Sequence, residues 1–164
     1  TTGCGQGSVF GGLMDEVDQL ELPADACITQ RQLYSLINTI RLQESTYKSA
    51  GSVHACAMFS LVGDEPEMLL FVEDVGRHNA LDKLLGALAK KGQEQNQEPG
   101  FVLVTSRASY EMIAKITSAN IPILAAVSAP TSLAIELAGK SGLTLVGFTR
   151  TGRHVLYANG QRIH

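Results

Sequence analysis

Cys4 sits between glycines in Gly3-Cys4-Gly5-Gln6-Gly7. A thiol flanked in this way has no packing to do. Glycine permits unusual backbone angles and lets a partner approach closely, and thiolate chemistry requires exposure together with a lowered pKa. The loop supplies the first condition, so Cys4 reads as a reactive, sulfur-handling cysteine. The competing reading is an incidental cysteine near a chain end. The other cysteines are Cys27 and Cys56. An odd number at wide spacing makes a poor disulfide framework and suits a reducing, cytoplasmic setting. With no C-x-x-C pair, a structural metal is not expected. Cys27 is expected to be buried or semi-buried.

His54 and Cys56 fall two apart on an expected strand and so face the same side. A zinc-deaminase motif would need Glu two residues after the His and a later Pro-Cys-x-x-Cys. Cys56 stands in the Glu position and no such pair follows. A packed strand with a hydrogen-bonded His and a buried thiol is the better reading.

The remaining polar groups collect in the expected βα turns. Glu73-Asp74-Val75-Gly76-Arg77-His78-Asn79 follows one apolar run. Thr105-Ser106-Arg107-Ala108-Ser109 follows a second, Ser128-Ala129-Pro130-Thr131 a third, and Phe148-Thr149-Arg150-Thr151-Gly152-Arg153 a fourth. Arginine offers a planar fork of donors suited to phosphate, and free N–H groups at helix N-termini favour anions. Any one turn is explained as ordinary capping. Four together, carrying Arg77, Arg107, Arg150 and Arg153, favour a phosphorylated or otherwise anionic ligand above the sheet. Gly152 between Arg150 and Arg153 lets backbone approach that ligand, although a solvent-facing basic hairpin fits the spacing equally well. His78 reads either as a brace for its turn or as a ligand or proton contact, since His titrates near neutrality.

These groups need a scaffold, and the chain encodes one. With 164 residues and 45% apolar content, it fits a single domain, 1–164, with a substantial core. The net charge of -3 and pI near 5.8 argue against a general nucleic-acid binder. No apolar stretch is long enough for a membrane helix. The chain opens on Thr1 rather than Met and carries no signal-peptide pattern, which reads as a piece missing upstream. Residues 1–28 are loop-rich. Thr29 is an expected N-cap for a helix over 30–44, with Leu33, Leu36, Ile37 and Ile40 at helical spacing. Two strands, Val53–Val62 and Met68–Glu73, flank Gly63-Asp64-Glu65-Pro66 and predict a hairpin. Helices are then expected over Asn79–Lys91, Tyr110–Ala119 and Thr131–Lys140. They alternate with strands Phe101–Thr105, Ile123–Val127 and Leu143–Phe148, and a last strand covers Val155–Ala158. Such alternation with near-continuous apolar strands predicts an α/β three-layer sandwich with a mixed, largely parallel sheet buried on both faces. Ligands of such sheets bind at the carboxyl ends of the strands.

Taken in order, several motifs resemble the FdhD family of formate dehydrogenase accessory sulfurtransferases. They are Cys4-Gly5 in its Gly-rich loop, Glu73 through Lys83 (EDVGRHNALDK), Ser106 through Met112 (SRASYEM), Val127 through Thr131 (VSAPT) and Phe148 through Arg153 (FTRTGR). The resemblance implies a cytidine-deaminase-like sandwich without the zinc site, acting as a homodimer in the cytoplasm. It implies that sulfur arrives from a cysteine desulfurase as a persulfide on Cys4. The sulfur then passes to a molybdenum or tungsten bis(molybdopterin guanine dinucleotide) cofactor destined for formate dehydrogenase. The implied cofactor-binding segment is Phe148, Thr149, Arg150, Thr151, Gly152 and Arg153, with Arg77, His78, Ser106, Arg107 and Ser128 as further contacts. The family loop commonly reads Cys-Gly-x-Cys. Here Gly7 takes the fourth position, so a persulfide in this loop rests on Cys4 alone. A family segment expected before the loop is missing. A non-catalytic cofactor chaperone and a deaminase-like zinc hydrolase are the rival functions.

Overall fold

The structure, a computed structural model, describes residues 21–43, 49, 51–61, 65–92 and 100–164. The Cys4 loop lies outside these residues, as do residues 62–64 of the expected hairpin turn and the loop 93–99.

Thr29 starts the first helix as expected. Its Oγ1 accepts from the Gln32 N–H at 3.2 Å, and the Gln32 side chain accepts from the Thr29 N–H at 2.9 Å, a closed capping box. Helix α1 (Gln30–Leu42) buries Leu33, Leu36, Ile37 and Ile40 along one stripe. Strands β1 (His54–Ser60) and β2 (Glu67–Asp74) pair antiparallel. Next come α2 (Arg77–Gly92), β3 (Gly100–Val104), α3 (Tyr110–Ser118), β4 (Ile123–Ala126), α4 (Ser132–Ser141), β5 (Thr144–Arg150) and β6 (Arg153–Ala158). A short 3-10 turn at Gly160–Arg162 ends the chain's regular structure.

The six strands form one sheet in the order β2-β1-β3-β4-β5-β6. Pairs β3/β4 and β4/β5 are parallel, and the outer pairs are antiparallel. Strands β2, β3, β4 and β5 therefore point one way, and their carboxyl ends share one edge of the sheet. Successive residues of each strand go to opposite faces, and both faces are covered. Helix α1, with Ile28 and Ile163, packs on Ala57, Phe59, Phe101, Leu103, Ile123, Ala125 and Val146. Helices α2, α3 and α4 pack on Cys56, Met58, Val102, Val104, Leu124, Ala126 and Leu145. This is the three-layer α/β sandwich with a mixed sheet that the sequence predicts.

Three boundaries shift for local reasons. Helix α2 begins at Arg77, ahead of the expected Asn79, because Asp74 folds the preceding turn. Its Oδ1 accepts from the Gly76 N–H at 2.9 Å and the Asn79 amide at 3.3 Å, and its carboxylate pairs with Lys83. Strand β5 runs past Phe148 to Arg150 and β6 starts at Arg153, so only Thr151 and Gly152 form the turn. Gly152 has φ +81°, a left-handed backbone that glycine adopts without a Cβ clash.

Cys27 corrects an expectation: it is exposed. Ala26 and Ile28 on either side take the buried positions, and the alternation turns Cys27 outward. Ile28 also joins the far end of the chain. Its N–H donates to Arg162 O at 2.9 Å, its O accepts from the His164 N–H at 3.1 Å, and the Gln30 N–H donates to His164 O at 2.8 Å. Arg162 is buried, and its guanidinium donates to Pro23 O at 3.2 Å, Gly142 O at 2.8 Å and Thr144 Oγ1 at 3.2 Å. One side chain thus fastens the segment before α1 to the start of β5.

Two outcomes test this scaffold. Phe59 and Phe101 are fully buried, with ring centroids 5.6 Å apart at a 40° tilt. Phe59→Ala should cost about 3–5 kcal/mol of unfolding free energy, measured by urea denaturation. Asp74 is held down at about 2 by the hydrogen bond from Lys83 and then by that from the Gly76 amide. A folded-state pKa below the ordinary value stabilises the fold above about pH 4, and that stabilisation fades as pH falls towards 2. In Asp74→Asn, the melting temperature should lose this part of its decline between roughly pH 4 and 2.

Candidate functional site

The shared carboxyl edge of β2 to β5 carries the polar turns, and each turn is fixed by backbone bonds to its neighbour. Val127 N–H donates to Val104 O at 2.9 Å, Thr131 N–H to Ala108 O at 3.0 Å, and Phe148 N–H to Ser128 O at 3.3 Å. Thr105 closes the other side: its N–H donates to Ala55 O at 3.0 Å while its Oγ1 accepts from the Ala55 N–H at 2.9 Å. The strand ends are therefore cross-linked in series from β1 to β5.

Register between β5 and β6 slips between Gly147 and Arg150, and this bulge aims the side chains of the segment that follows. At Gly147 a Cβ would lie 2.7 Å from the Tyr157 ring and 2.9 Å from Pro130, so only glycine lets the strand pass here. Phe148 has φ 48° and is exposed, a left-handed backbone uncommon for a bulky side chain. Thr149 turns inward and its hydroxyl donates to Ala126 O at 2.8 Å. The Arg150 guanidinium donates through one nitrogen to Val127 O and to Thr149 O, the latter at 3.0 Å. Among the described residues its remaining N–H groups make no further hydrogen bond. Arg153 is exposed beside it, paired through the backbone with Arg150.

Helix α1 braces the hairpin from the side. Thr151 Oγ1 donates to Asn38 Oδ1 at 2.7 Å, Arg41 reaches Thr151 Oγ1 at 3.5 Å, and Tyr34 OH lies 2.9 Å from His154 Nδ1. Burial pushes the His154 pKa down. Between α1 and the sheet lies a cavity of about 290 Å³, lined by Ile37, Ile40, Arg41, Leu103, Thr105, Val127, Thr149 and Arg150.

Of the residues named from sequence, the structure brings Thr149 and Arg150 to this cavity, while Thr151, Gly152 and Arg153 are exposed and do not line it. Arg77, His78, Ser106, Arg107 and Ser128 do not line it. Arg77 and His78 open α2, which covers the opposite face of the sheet. There His78 Nε2 lies 3.0 Å from Ser109 Oγ and 3.9 Å from Glu111. Burial, and then the neighbouring Arg77 charge, lower the His78 pKa against the pull of Glu111, which favours a neutral imidazole near pH 7. Arg77 Nε is buried without a hydrogen-bond partner among the described residues. Ser106 is buried and donates to Arg107 O at 3.1 Å, while Arg107 is exposed. Ser128 supplies the carbonyl that holds Phe148. Cys4 lies outside the described residues. Cys56 is in the core at 1% exposure, where desolvation pushes its thiol up to about 12, so it is no nucleophile.

Sequence reasoning missed Arg41, Asn38 and Tyr34. Their signal was present: they follow one another at 34, 38 and 41, a polar row one step from the apolar stripe of α1.

The FdhD/NarQ family model matches residues 1–164, the whole chain. A protein of Cupriavidus necator named sulfur carrier protein FdhD is 43% identical over 164 residues, covering 99% of this chain and 54% of that protein. A protein of the same name from Xanthomonas oryzae is 48% identical over 128 residues, covering 78% of this chain and 44% of that one. The chain spans about half the length of the curated relatives it matches. A crystal structure that carries the name of a formate dehydrogenase accessory protein from Desulfotalea psychrophila superposes with a TM-score of 0.76. It is 30% identical, over 91% of this chain and 62% of that chain. Fold, motifs and relatives agree, and the chain belongs to the FdhD/NarQ family.

Proposed function

We propose that this chain is a sulfur carrier and sulfurtransferase serving formate dehydrogenase, with Cys4 as its sulfur-bearing residue. The observation that carries the reading is the family match across all 164 residues, which takes in the Cys4 loop and the Phe148–Arg153 hairpin together. The thiol inventory supports it. Cys56 is excluded by burial, and the exposed Cys27, between Ala26 and Ile28, lacks the flanking glycines of Cys4.

In this reading the Cys4 thiolate attacks the outer sulfur of a persulfide on a cysteine desulfurase. A new S–S bond forms on Cys4 and the desulfurase leaves as its thiolate. Handing that outer sulfur on as sulfide returns Cys4 to a thiolate. It consumes two electrons, which a reduced metal centre or a thiol reductant supplies. The acceptor is the molybdenum or tungsten bis-pterin guanine dinucleotide cofactor, bound as substrate. The protein works as a homodimer in the cytoplasm.

The carboxyl edge suits one end of such an acceptor. A cavity of about 290 Å³ sits near the lower end of small-ligand pockets, large enough for a nucleotide head but not for the whole cofactor. Arg150 and Arg153 offer guanidinium donors where phosphate would lie.

Mass spectrometry after incubation with a cysteine desulfurase and cysteine should show one added sulfur on Cys4, and none in Cys4→Ala. Sulfur uptake unchanged in that variant would overturn the assignment. A Cys4→Ser chain that still matured formate dehydrogenase would instead make the protein a cofactor chaperone. Arg153 is exposed and holds no partner among the salt bridges of the described residues. Arg153→Ala should therefore weaken capture of the guanine-nucleotide end by about tenfold, with thermal stability within about 0.5 kcal/mol of the parent, read by calorimetric titration and melting.

A further inference from the structure

We infer that the seam between α4 and β6 is the docking surface for residues 10–20 of this same chain, seated there as an amphipathic helix. Three observations converge. First, the seam is an apolar strip left open among the described residues. Helix α4 joins β4 to β5, and β6 is the next strand out. Val155 of β6 pairs with Gly147, and cross-strand partners share a face. A Cβ at Gly147 would meet Tyr157 and Pro130, and Tyr157 packs on the cluster under α2, α3 and α4. Val155 therefore points to the α4 side, yet it is 43% exposed. With the right-handed crossovers that such sheets adopt, α3 and β6 lie on opposite flanks of α4. Counting about 100° per residue from the buried Ala134, Leu137 and Ala138 turns Ile135 and Gly139 to the β6 flank. Ile135 is half-buried and Gly139 is exposed. A Cβ at Gly139 would meet nothing within 4 Å, and its absence lets another backbone come close.

Second, the chain enters the described fold at the foot of this seam. Helix α4 runs from the carboxyl edge at Ser132 back to its C-cap, Gly142. Arg162, in the turn that follows β6, donates to Gly142 O at 2.8 Å and to Pro23 O at 3.2 Å. Pro23 is thereby pinned between the far end of α4 and the end of β6. Leu22 packs half-buried on the same cluster as α4. Residues that precede Leu22 have the seam immediately beside them.

Third, those residues carry the matching pattern. Phe10, Leu13, Met14, Val17 and Leu20 recur at helical spacing, with Asp15, Glu16, Asp18 and Gln19 on the other side. A short stretch of this kind gains its helix from packing an apolar face. The lengths agree as well: eleven residues make about 16 Å of helix, and the ten of α4 about 15 Å. Docked beside α4 and running the same way, the segment keeps its acidic side in water and brings Phe10 to the carboxyl edge. Cys4 lies six residues earlier, within about 20 Å of extended chain, so the thiol stays near the polar turns. That bearing on sulfur transfer rests on the Cys4 reading above; the docking does not.

The test is hydrogen exchange of the full chain, read by mass spectrometry without any sulfur donor. Amides 13–20 should exchange at least about tenfold more slowly than an unstructured chain. Val155→Asp and Val17→Asp place a charge on either side of the contact. Each should abolish that protection while the amides of α1 keep theirs. Gly139→Leu fills the line of approach and leaves the scaffold's own contacts intact. It should speed exchange over 13–20 about tenfold without lowering the melting temperature. Unstructured rates over 13–20 in the parent chain would overturn the docking, and so would protection that survives both Val155→Asp and Gly139→Leu. Sedimentation accompanies each variant. A parent dimer that Val155→Asp splits, with 13–20 unprotected in both, would give the seam to a second copy and overturn the docking. A parent chain protected over 13–20 that takes no sulfur on Cys4 would sink the Cys4 reading and support the docking.

Discussion

Two-sided burial of the central strands is the constraint on which everything else rests. Every residue of β3 and β4 is buried, so no polar side chain has room until the strand ends. Chemistry is thereby pushed to the edges of the sheet. Because β2, β3, β4 and β5 point the same way, their turns accumulate at one edge. Burying each large apolar side chain stabilises the fold by roughly 1.5–3 kcal/mol. The rigidity this brings lets backbone bonds such as Val127 to Val104 and Phe148 to Ser128 hold the turns in fixed relation.

The edge itself is divided by the sheet. On the α1 face, Arg41, Thr105 and Arg150 line a cavity with an apolar wall. On the face covered by α2 and α3, His78 sits with Ser109 and Glu111. The bulge between Gly147 and Arg150 separates their neighbours. It sends Thr149 inward to Ala126 and leaves Phe148 outside, so adjacent residues of one motif serve different surroundings.

Much of this was legible in the sequence because it rests on short-range rules. Thr29 and Gln32 announce a capping box, Leu33 to Ile40 give the helical stripe, and the apolar runs give the buried strands. The βα turns gave the edge, and the ordered motifs gave the family. Pairing across distance was not legible. Nothing local tells that Arg41 and Arg150 line one cavity, or that Arg77 and Arg150 belong to opposite faces, since both facts depend on which layer each helix joins. Cys27 went wrong for the same reason: its outward position follows from the pairing of Ile28 with Ile163, a partner at the other end of the chain. The boundary at Arg77 was set by Asp74, whose carboxylate gathers Gly76, Asn79 and Lys83, a cap that periodicity alone does not reveal.

The strap at Ile28 has a consequence for the order in which the protein becomes competent. Helix α1 is fastened at its start by backbone bonds from Ile28 and Gln30 to Arg162 and His164, and Arg41 rides near the end of that helix. A nascent chain still leaving the ribosome has made α1 long before residues 162–164 exist. Until then the helix that carries Arg41 lacks the bonds at its start and is held by its apolar stripe alone. The backbone bonds that fasten the start of α1, one wall of the cavity, therefore form only once synthesis has passed Arg162.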